Sequence, residues 1–328
     1  MTSHTTSEIS TLGGENKMEA PVSLQVTNKS SRHQIKNLPS AIEVTETTTV
    51  QDVKRQLSHL TDGRSQHRFG LFDPEKQKIL KDRAALILQN KEVSSRKEIL
   101  VKDLGPQLSW RTVFIIEYLG PLLIHLLIPF VLRPYIYDRD QIPPLSKSQY
   151  LSSAMIVLHF LKRELETLFV HKFSLSTMPM RNIFKNSAHY WIGSGLFIAY
   201  FIYHPSSITQ KESQLIKYVN VAGVIMYLFG EISNAHTHIT LSRLRSKGGT
   251  ERGIPRGYGF DLVTCPNYMF EVIAWIGINM VNKSLSTTIF TIVAGWQMYV
   301  WAIKKEKALR AEFPDTYKKK KNVLFPFF

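Results

Sequence analysis

Most of the long apolar runs in this 328-residue chain lie beyond Arg111, whereas its first hundred positions are polar. That asymmetry constrains the fold more than any average does. Apolar residues make up 44% of the chain and the mean hydropathy is −0.10, values that taken alone fit a soluble protein. Their distribution predicts a soluble head joined to a membrane body. The run 112–132 (TVFIIEYLGPLLIHLLIPFVL) has the roughly 20 residues that a helix needs to cross the hydrocarbon core of a bilayer. Similar runs follow at 151–161, 188–203, 215–232, 268–281 and 285–303, the second and fifth short enough to need their polar flanks. The expected fold class is a multi-pass α-helical membrane protein with about six transmembrane helices.

Charge follows the same division. The net charge is +15, and the basic residues gather between and after the apolar runs. Lys162, Arg163, Lys172, Arg181 and Lys185 form one group, and Arg243, Arg245, Lys247, Arg252 and Arg256 a second. A third combines Lys304, Lys305, Lys307 and Arg310 with the run 318–321. The loop 205–214 holds only Lys211, and the turn after Val281 only Lys283. The positive-inside rule then places the head, both basic loops and the tail on the cytosolic side. No nucleic-acid motif accompanies the charge, so nucleic acid is not an expected partner. The single cysteine, Cys265, excludes an intramolecular disulfide and a cysteine-based zinc site. His236 and His238 diverge on a helix, and no HExxH pattern occurs, so no metal is expected.

Residues 1–19 are rich in Ser, Thr and Glu without an apolar stretch and are expected to be disordered. In the following segment, 20–103, positions 22–27 alternate apolar and polar side chains, the signal of a half-buried strand. Extended stretches are expected again at 41–44, 68–72 and 98–102. Between them Val50, Val53, Leu57 and Leu60 recur at helical spacing after capping threonines. This order of elements resembles an α+β ubiquitin-like β-grasp domain.

Ionisable side chains inside membrane spans cost several kcal/mol and face a partner or a cavity. Glu117 lies in the first span. Lys162, Arg163, Glu164 and Glu166 follow the second, and Glu231, Asn234, His236 and His238 end the fourth. Asn267, Tyr268 and Glu271 open the fifth, with Asn267 and Glu271 on one helical face. An ion path, a metal site and a cofactor pocket all fit this set.

Several of these residues sit in longer motifs: 102–111 (KDLGPQLSWR), 117–121 (EYLGP), 162–174 (KRELETLFVHKFS), 265–272 (CPNYMFEV), 297–302 (QMYVWA) and the closing 326–328 (PFF). Together they resemble the trans-2-enoyl-CoA reductases of very-long-chain fatty-acid elongation, within the steroid 5-alpha-reductase superfamily, over nearly the whole chain beyond its first residues. The resemblance implies a reductase domain over 104–328 in the endoplasmic-reticulum membrane. It implies NADPH as cofactor without a Rossmann fold, a trans-2-enoyl-CoA substrate, and partnership with the condensing enzyme, ketoreductase and dehydratase of elongation. Tyr268 is then the proton donor and Lys162 the cation that lowers its pKa, with Glu117 and Gln107 also needed for activity. Arg163, His171, Lys172, Asn234, Arg245, Asn267 and Glu271 are the implied cofactor contacts. Two positions depart from the pattern: Phe160, where relatives carry tyrosine, and His238, where steroid reductases carry an acid. A reductase of a steroid or polyprenol enone and a non-catalytic scaffold of the elongation complex are the alternatives, the latter resting on Phe160.

Overall fold

The computed structural model describes residues 20–31, 34–80, 83–137, 142–173, 177–211, 213–245 and 253–326. The expected disorder of residues 1–19 lies outside them. Two compact units divide the chain, residues 1–104 and 105–328.

In the first unit, β1 (Val22–Asn28), β2 (Ala41–Val44), α1 (Val50–Leu60), β3 (Phe69–Phe72), the short α2 (Lys91–Arg96) and β4 (Glu98–Asp103) follow one another. The sheet has the order β2-β1-β4-β3, with β1 parallel to β4 and the other two pairs antiparallel. Alternation along β1 and β2 turns Leu24, Val26, Ile42 and Val44 inward, where they meet Val50, Val53 and Leu57 of α1. The helix starts where the threonines predict. The Thr49 side chain accepts from the Asp52 N–H, and the Asp52 carboxylate accepts from the Thr49 N–H.

The second unit is helical. β5 (Gln107–Ser109) leads into α3 (Trp110–Leu127), which runs on through a π-helical turn (Ile128–Leu132) into α4 (Arg133–Ile136). After α5 (Lys147–Phe169) comes β6 (Thr177–Pro179), which pairs antiparallel with β5. Then follow α6 (Asn182–Ala188), a π-helical stretch (His189–Phe197), α7 (Ile198–Ile202), α8 (Gln214–Arg243), α9 (Pro266–Asn282) and α10 (Leu285–Glu312). Helical structure thus covers each of the apolar runs, and α5 and α10 continue well past them into charged sequence, α8 into polar sequence. Among the described residues, two stretches are long and apolar enough to cross a membrane, Trp110–Ile136 and Gln214–Arg243. Along the second, Val221, Ile225, Leu228 and Ile232 form a stripe at helical spacing that is 48–68% exposed, a face suited to lipid rather than water.

Two local devices let these helices pack. Pro129 cannot donate to the carbonyl one turn earlier, that of His125. Ser153 Oγ of α5 donates to that carbonyl at 2.9 Å, closing the ladder from outside. The His125 ring is itself satisfied by Tyr203 OH and the Ser194 carbonyl, both at 2.9 Å, which makes it structural. Helices α8 and α9 touch through glycines. A Cβ on Gly230 would stand 2.6 Å from Ala274 N, and one on Gly277 would stand 2.6 Å from Tyr227 N. Backbone-to-backbone approach of this kind is how small residues bring membrane helices together. It sets Glu231 and Asn234 of α8 against Asn267 and Glu271 of α9.

Because the obstruction at Gly230 is backbone, no rotamer change relieves it. Gly230→Ala is expected to cost about 3 kcal/mol or more, read as a drop in thermal unfolding temperature in detergent micelles. An unchanged melting curve would show that the two helices are free to separate.

Candidate active site

Three helices each turn a polar stripe toward the others. On α5 the stripe is His159, Lys162, Arg163 and Glu166, spaced by three and four residues; on α8 it is Glu231, Asn234 and His238; on α9 it is Asn267 and Glu271. His159 presents Nδ1 to Glu231 at 2.6 Å and Nε2 to Glu271 at 3.3 Å, so both ring nitrogens face a carboxylate. The doubly protonated ring fits that arrangement. Lys162 lies 2.9 Å from the other Glu231 oxygen and 3.5 Å from Glu166, and it donates to Asn234 Oδ1. Asn234 in turn donates to the Asn267 carbonyl at 2.8 Å and to Glu271 at 3.0 Å. Arg163 pairs with Glu166 at 2.9 Å and donates to Tyr118 OH of α3 at 2.9 Å. Three cations (His159, Lys162, Arg163) therefore face three carboxylates (Glu166, Glu231, Glu271), and the cluster is neutral.

Glu166, His171 and His238 bring candidate ligand atoms within 4.8 Å of one another. The Arg163 guanidinium, 2.9 Å from Glu166 and 3.2 Å from His238 Nδ1, already contacts the donors a metal would need. His171 follows the end of α5. Burial, and then the nearby Arg163 charge, push its pKa down to about 3, so the ring is neutral at ordinary pH.

Beside the cluster opens a cavity of about 290 Å³. Arg163, His171 and His238 close one side, and Thr264, Cys265, Asn267 and Tyr268 another. Lys172, Arg245 and Lys305 add positive charge, and Phe114 and Phe173 add aromatic surface. Lys172 and Arg245 clasp each other, each side chain donating to the other's backbone carbonyl.

Of the residues singled out from sequence, Tyr268, Arg163, His171, Lys172, Arg245 and Asn267 line this cavity. Lys162, Asn234 and Glu271 belong to the adjoining ion-pair cluster. Glu117 and Gln107 line neither. Glu117 is 1% exposed on α3, with one carboxyl oxygen lacking a hydrogen-bond partner. Gln107 sits in β5 opposite Pro179. His236 is exposed and edge-on to Tyr258, away from His238. Sequence reasoning missed His159, Tyr118 and Lys305. The signal for His159 was present, since it starts the spacing that continues through Lys162 and Glu166. Tyr118 lay within the 117–121 motif and Lys305 within the basic tail cluster, but no spacing tied either to the site.

Comparison with known proteins adds to this geometry. The 3-oxo-5-alpha-steroid 4-dehydrogenase family matches residues 176–328. A very-long-chain enoyl-CoA reductase of Dictyostelium discoideum is 36% identical over 93% of this chain and 99% of its own length. A probable very-long-chain enoyl-CoA reductase of Caenorhabditis elegans is 36% identical over 85% of the chain and 91% of its own length. A putative enoyl reductase of Schizosaccharomyces pombe is 48% identical over 70% of the chain and 76% of its own length.

Removing one member of a buried ion pair leaves the others uncompensated. Glu231→Gln is expected to cost about 3–5 kcal/mol, and Glu231→Gln combined with Lys162→Met to cost less than the single change. Thermal unfolding of the two variants checks this, and a double variant weaker than the single one would contradict it. The His171 ring gives a pH signature. Unfolded, it titrates near 6.5; folded, near 3. The unfolded chain therefore binds more protons between those values, so stability falls as pH drops through that window and rises with pH across it. Melting temperatures from pH 7 to pH 4 are expected to fall more steeply for the wild type than for His171→Asn.

Proposed function

The chain belongs to the very-long-chain enoyl-CoA reductase family, and from that premise we propose that it uses NADPH to reduce trans-2-enoyl-CoA to saturated acyl-CoA, the last step of very-long-chain fatty-acid elongation. One observation carries the reading: Tyr268, Arg163 and several further cations converge on a single cavity next to a neutral buried ion-pair cluster. The donor set suits a phosphorylated dinucleotide. Lys172, Arg245 and Lys305 supply countercharge for phosphates, and the Asn267 amide and the His171 ring supply polar contacts. Asn234 and Glu271 act one layer back, holding the start of α9 in place through their mutual hydrogen bond.

When bound, NADPH supplies a hydride to the β-carbon of the enoyl thioester. Negative charge then develops on the thioester oxygen, and the α-carbon needs a proton. Tyr268 stands in the first turn of α9, where the positive end of the helix dipole favours a developing phenolate, and we give it the proton-donor role. The sequence assigns Lys162 to lower the phenol's pKa. Its ammonium instead makes its contacts with Glu231, Asn234 and Glu166, while Arg163 lines the cavity with Tyr268. We therefore assign the electrostatic task to Arg163 and give Lys162 the holding of the cluster. Glu117, buried with an unpartnered oxygen, is suited to hydrogen-bonding when protonated. Gln107 acts from the β5–β6 pair at the start of α3.

The same reading places a multi-pass chain of about six crossings in the endoplasmic-reticulum membrane, with both termini cytosolic. The basic loops and tail support the orientation. The mixed sheet with α1 packed on it supports a ubiquitin-like β-grasp head at 20–103. A dehydratase must supply the 2,3-double bond, so that enzyme, with the condensing enzyme and the ketoreductase, is the expected company.

The test is NADPH oxidation by purified protein supplied with trans-2-hexadecenoyl-CoA. Tyr268→Phe is expected to lower kcat by about 10²–10⁴-fold, with NADPH affinity kept. Full turnover in that variant would remove the phenol from the donor role.

A further inference from the structure

α10 ends at Glu312, and the chain then turns back along the start of α9. Asn322 forms a parallel bridge with Val263, and the Cys265 N–H donates to the Val323 carbonyl at 3.0 Å. Leu324 is 4% exposed and packs with Val263, Met269 and Phe270; Val323, Phe325 and Tyr268 lie against the same cluster. A buried carboxylate adds a further fastening to this returning strap. Glu306, 4% exposed near the end of α10, accepts from Thr264 Oγ1 at 2.7 Å, from Tyr317 OH, and from the Lys320 N–H at 3.3 Å. Among the described residues no lysine or arginine side chain pairs with it.

A buried carboxylate without a countercharge persists only where several donors are aimed at it. Here the donors come from two different segments. Thr264 immediately precedes Cys265, and Tyr317 and Lys320 belong to the strap. The carboxylate therefore locks three pieces of chain into one register: the end of α10, the tail, and the turn that opens α9. Its neighbours Lys305, Ala308 and Leu309 face the cavity, as do Thr264, Cys265 and Tyr268. Any slack in the lock reaches the cavity wall within a few residues.

We propose that Glu306 is a positioning residue, holding the Cys265–Tyr268 turn, and with it the Tyr268 phenol, in place through Thr264 and the Tyr317–Leu324 strap. The catalytic part of this inference rests on Tyr268 being the proton donor. The hold on the turn does not.

The chain's only cysteine provides a reporter that needs no activity. Cys265 is 6% exposed, and burial pushes its thiol up to about 12, so in the closed strap it reacts slowly with a maleimide. In full-length protein in micelles, Glu306→Ala is expected to raise the Cys265 labelling rate roughly tenfold, as loss of charge-assisted hydrogen bonds opens the turn. The same variant is expected to lower kcat with trans-2-hexadecenoyl-CoA by up to about 10²-fold through misplacement of the phenol, while KM moves little. Glu306→Gln keeps one acceptor oxygen, enough for Thr264 and Tyr317, which share Oε2, and gives up only the longer contact from the Lys320 N–H, so it should recover most of both. Tyr317→Phe removes a single hydrogen bond and should shift both readouts less, in the same direction, which covers an Ala variant that does not fold. Wild-type labelling in folded Glu306→Ala and Tyr317→Phe overturns the inference. So does faster labelling with undiminished kcat, which would make the strap a fastening with no hold on the phenol. A wild-type chain that turns over no enoyl-CoA fails the reductase reading instead, and faster labelling in Glu306→Ala still supports the hold on the turn.

Discussion

Three cations and three carboxylates share one site among apolar helices, and their mutual neutralisation is the condition for everything around them. Desolvating an ion costs several kcal/mol even after relaxation, and attraction offsets this only where the pairs are close and the remaining hydrogen-bonding positions are filled. The cluster meets the first requirement throughout and the second for most of its groups, one buried oxygen each of Glu166 and Glu231 facing Lys162 as an ion pair without a hydrogen bond. His159 bridges Glu231 and Glu271, Lys162 reaches Glu231, and Asn234 spends its amide on Glu271 and the Asn267 carbonyl. Such distances need α8 and α9 almost in backbone contact, which the glycines at 223, 230 and 277 permit. Packing and electrostatics are thus one constraint here. A side chain at Gly230 would open the helices and strand the charges in the same step.

Neutrality also explains how one arginine can serve two neighbourhoods. With Lys162 and His159 satisfying Glu231 and Glu271, Arg163 needs only Glu166 as its partner in the cluster. Its second guanidinium nitrogen is left to reach Tyr118 OH, and its edge remains on the cavity wall. Lys162 and Arg163 are adjacent in sequence yet differ by about 100° around α5. That rotation separates the cation that holds the cluster from the one that faces the cavity.

Periodicity carried most of what was legible in advance. The head's strands and capped helix announced themselves through alternation and through the threonines before Val50, because a half-buried sheet and an amphipathic helix leave strong local patterns. The apolar runs located the long helices but not their ends, since α5, α8 and α10 continue into polar or charged sequence where hydropathy falls while the helix persists. Among the site residues, those spaced by three or four on one helix, such as Asn267 and Glu271, could be grouped by spacing alone. What joins Lys162 to Glu231 is the close approach of α8 and α9 and the rotation of α5, neither of which is written locally. For the same reason nothing local showed that Lys162 contacts the carboxylates of the cluster while its neighbour Arg163 lines the cavity. Glu306 left no trace at all, because its partners come from a returning tail.

Phe160 shows how the surroundings absorb a departure from a family pattern. Its ring is fully buried, edge-on to Tyr190 at 6.3 Å and to Trp275 at 6.2 Å, with His159 against it at 4.9 Å. Each neighbour presents ring surface, so the position suits an apolar side chain, and a hydroxyl added there would need a partner to justify its burial. Tyr118 sits 6.3 Å away across the same aromatic group and directs its hydroxyl to Arg163. The phenol that Arg163 contacts is therefore supplied by α3 rather than by α5. A phenyl group at 160 is accordingly compatible with an intact site, and the main sequence argument for a non-catalytic scaffold loses its force.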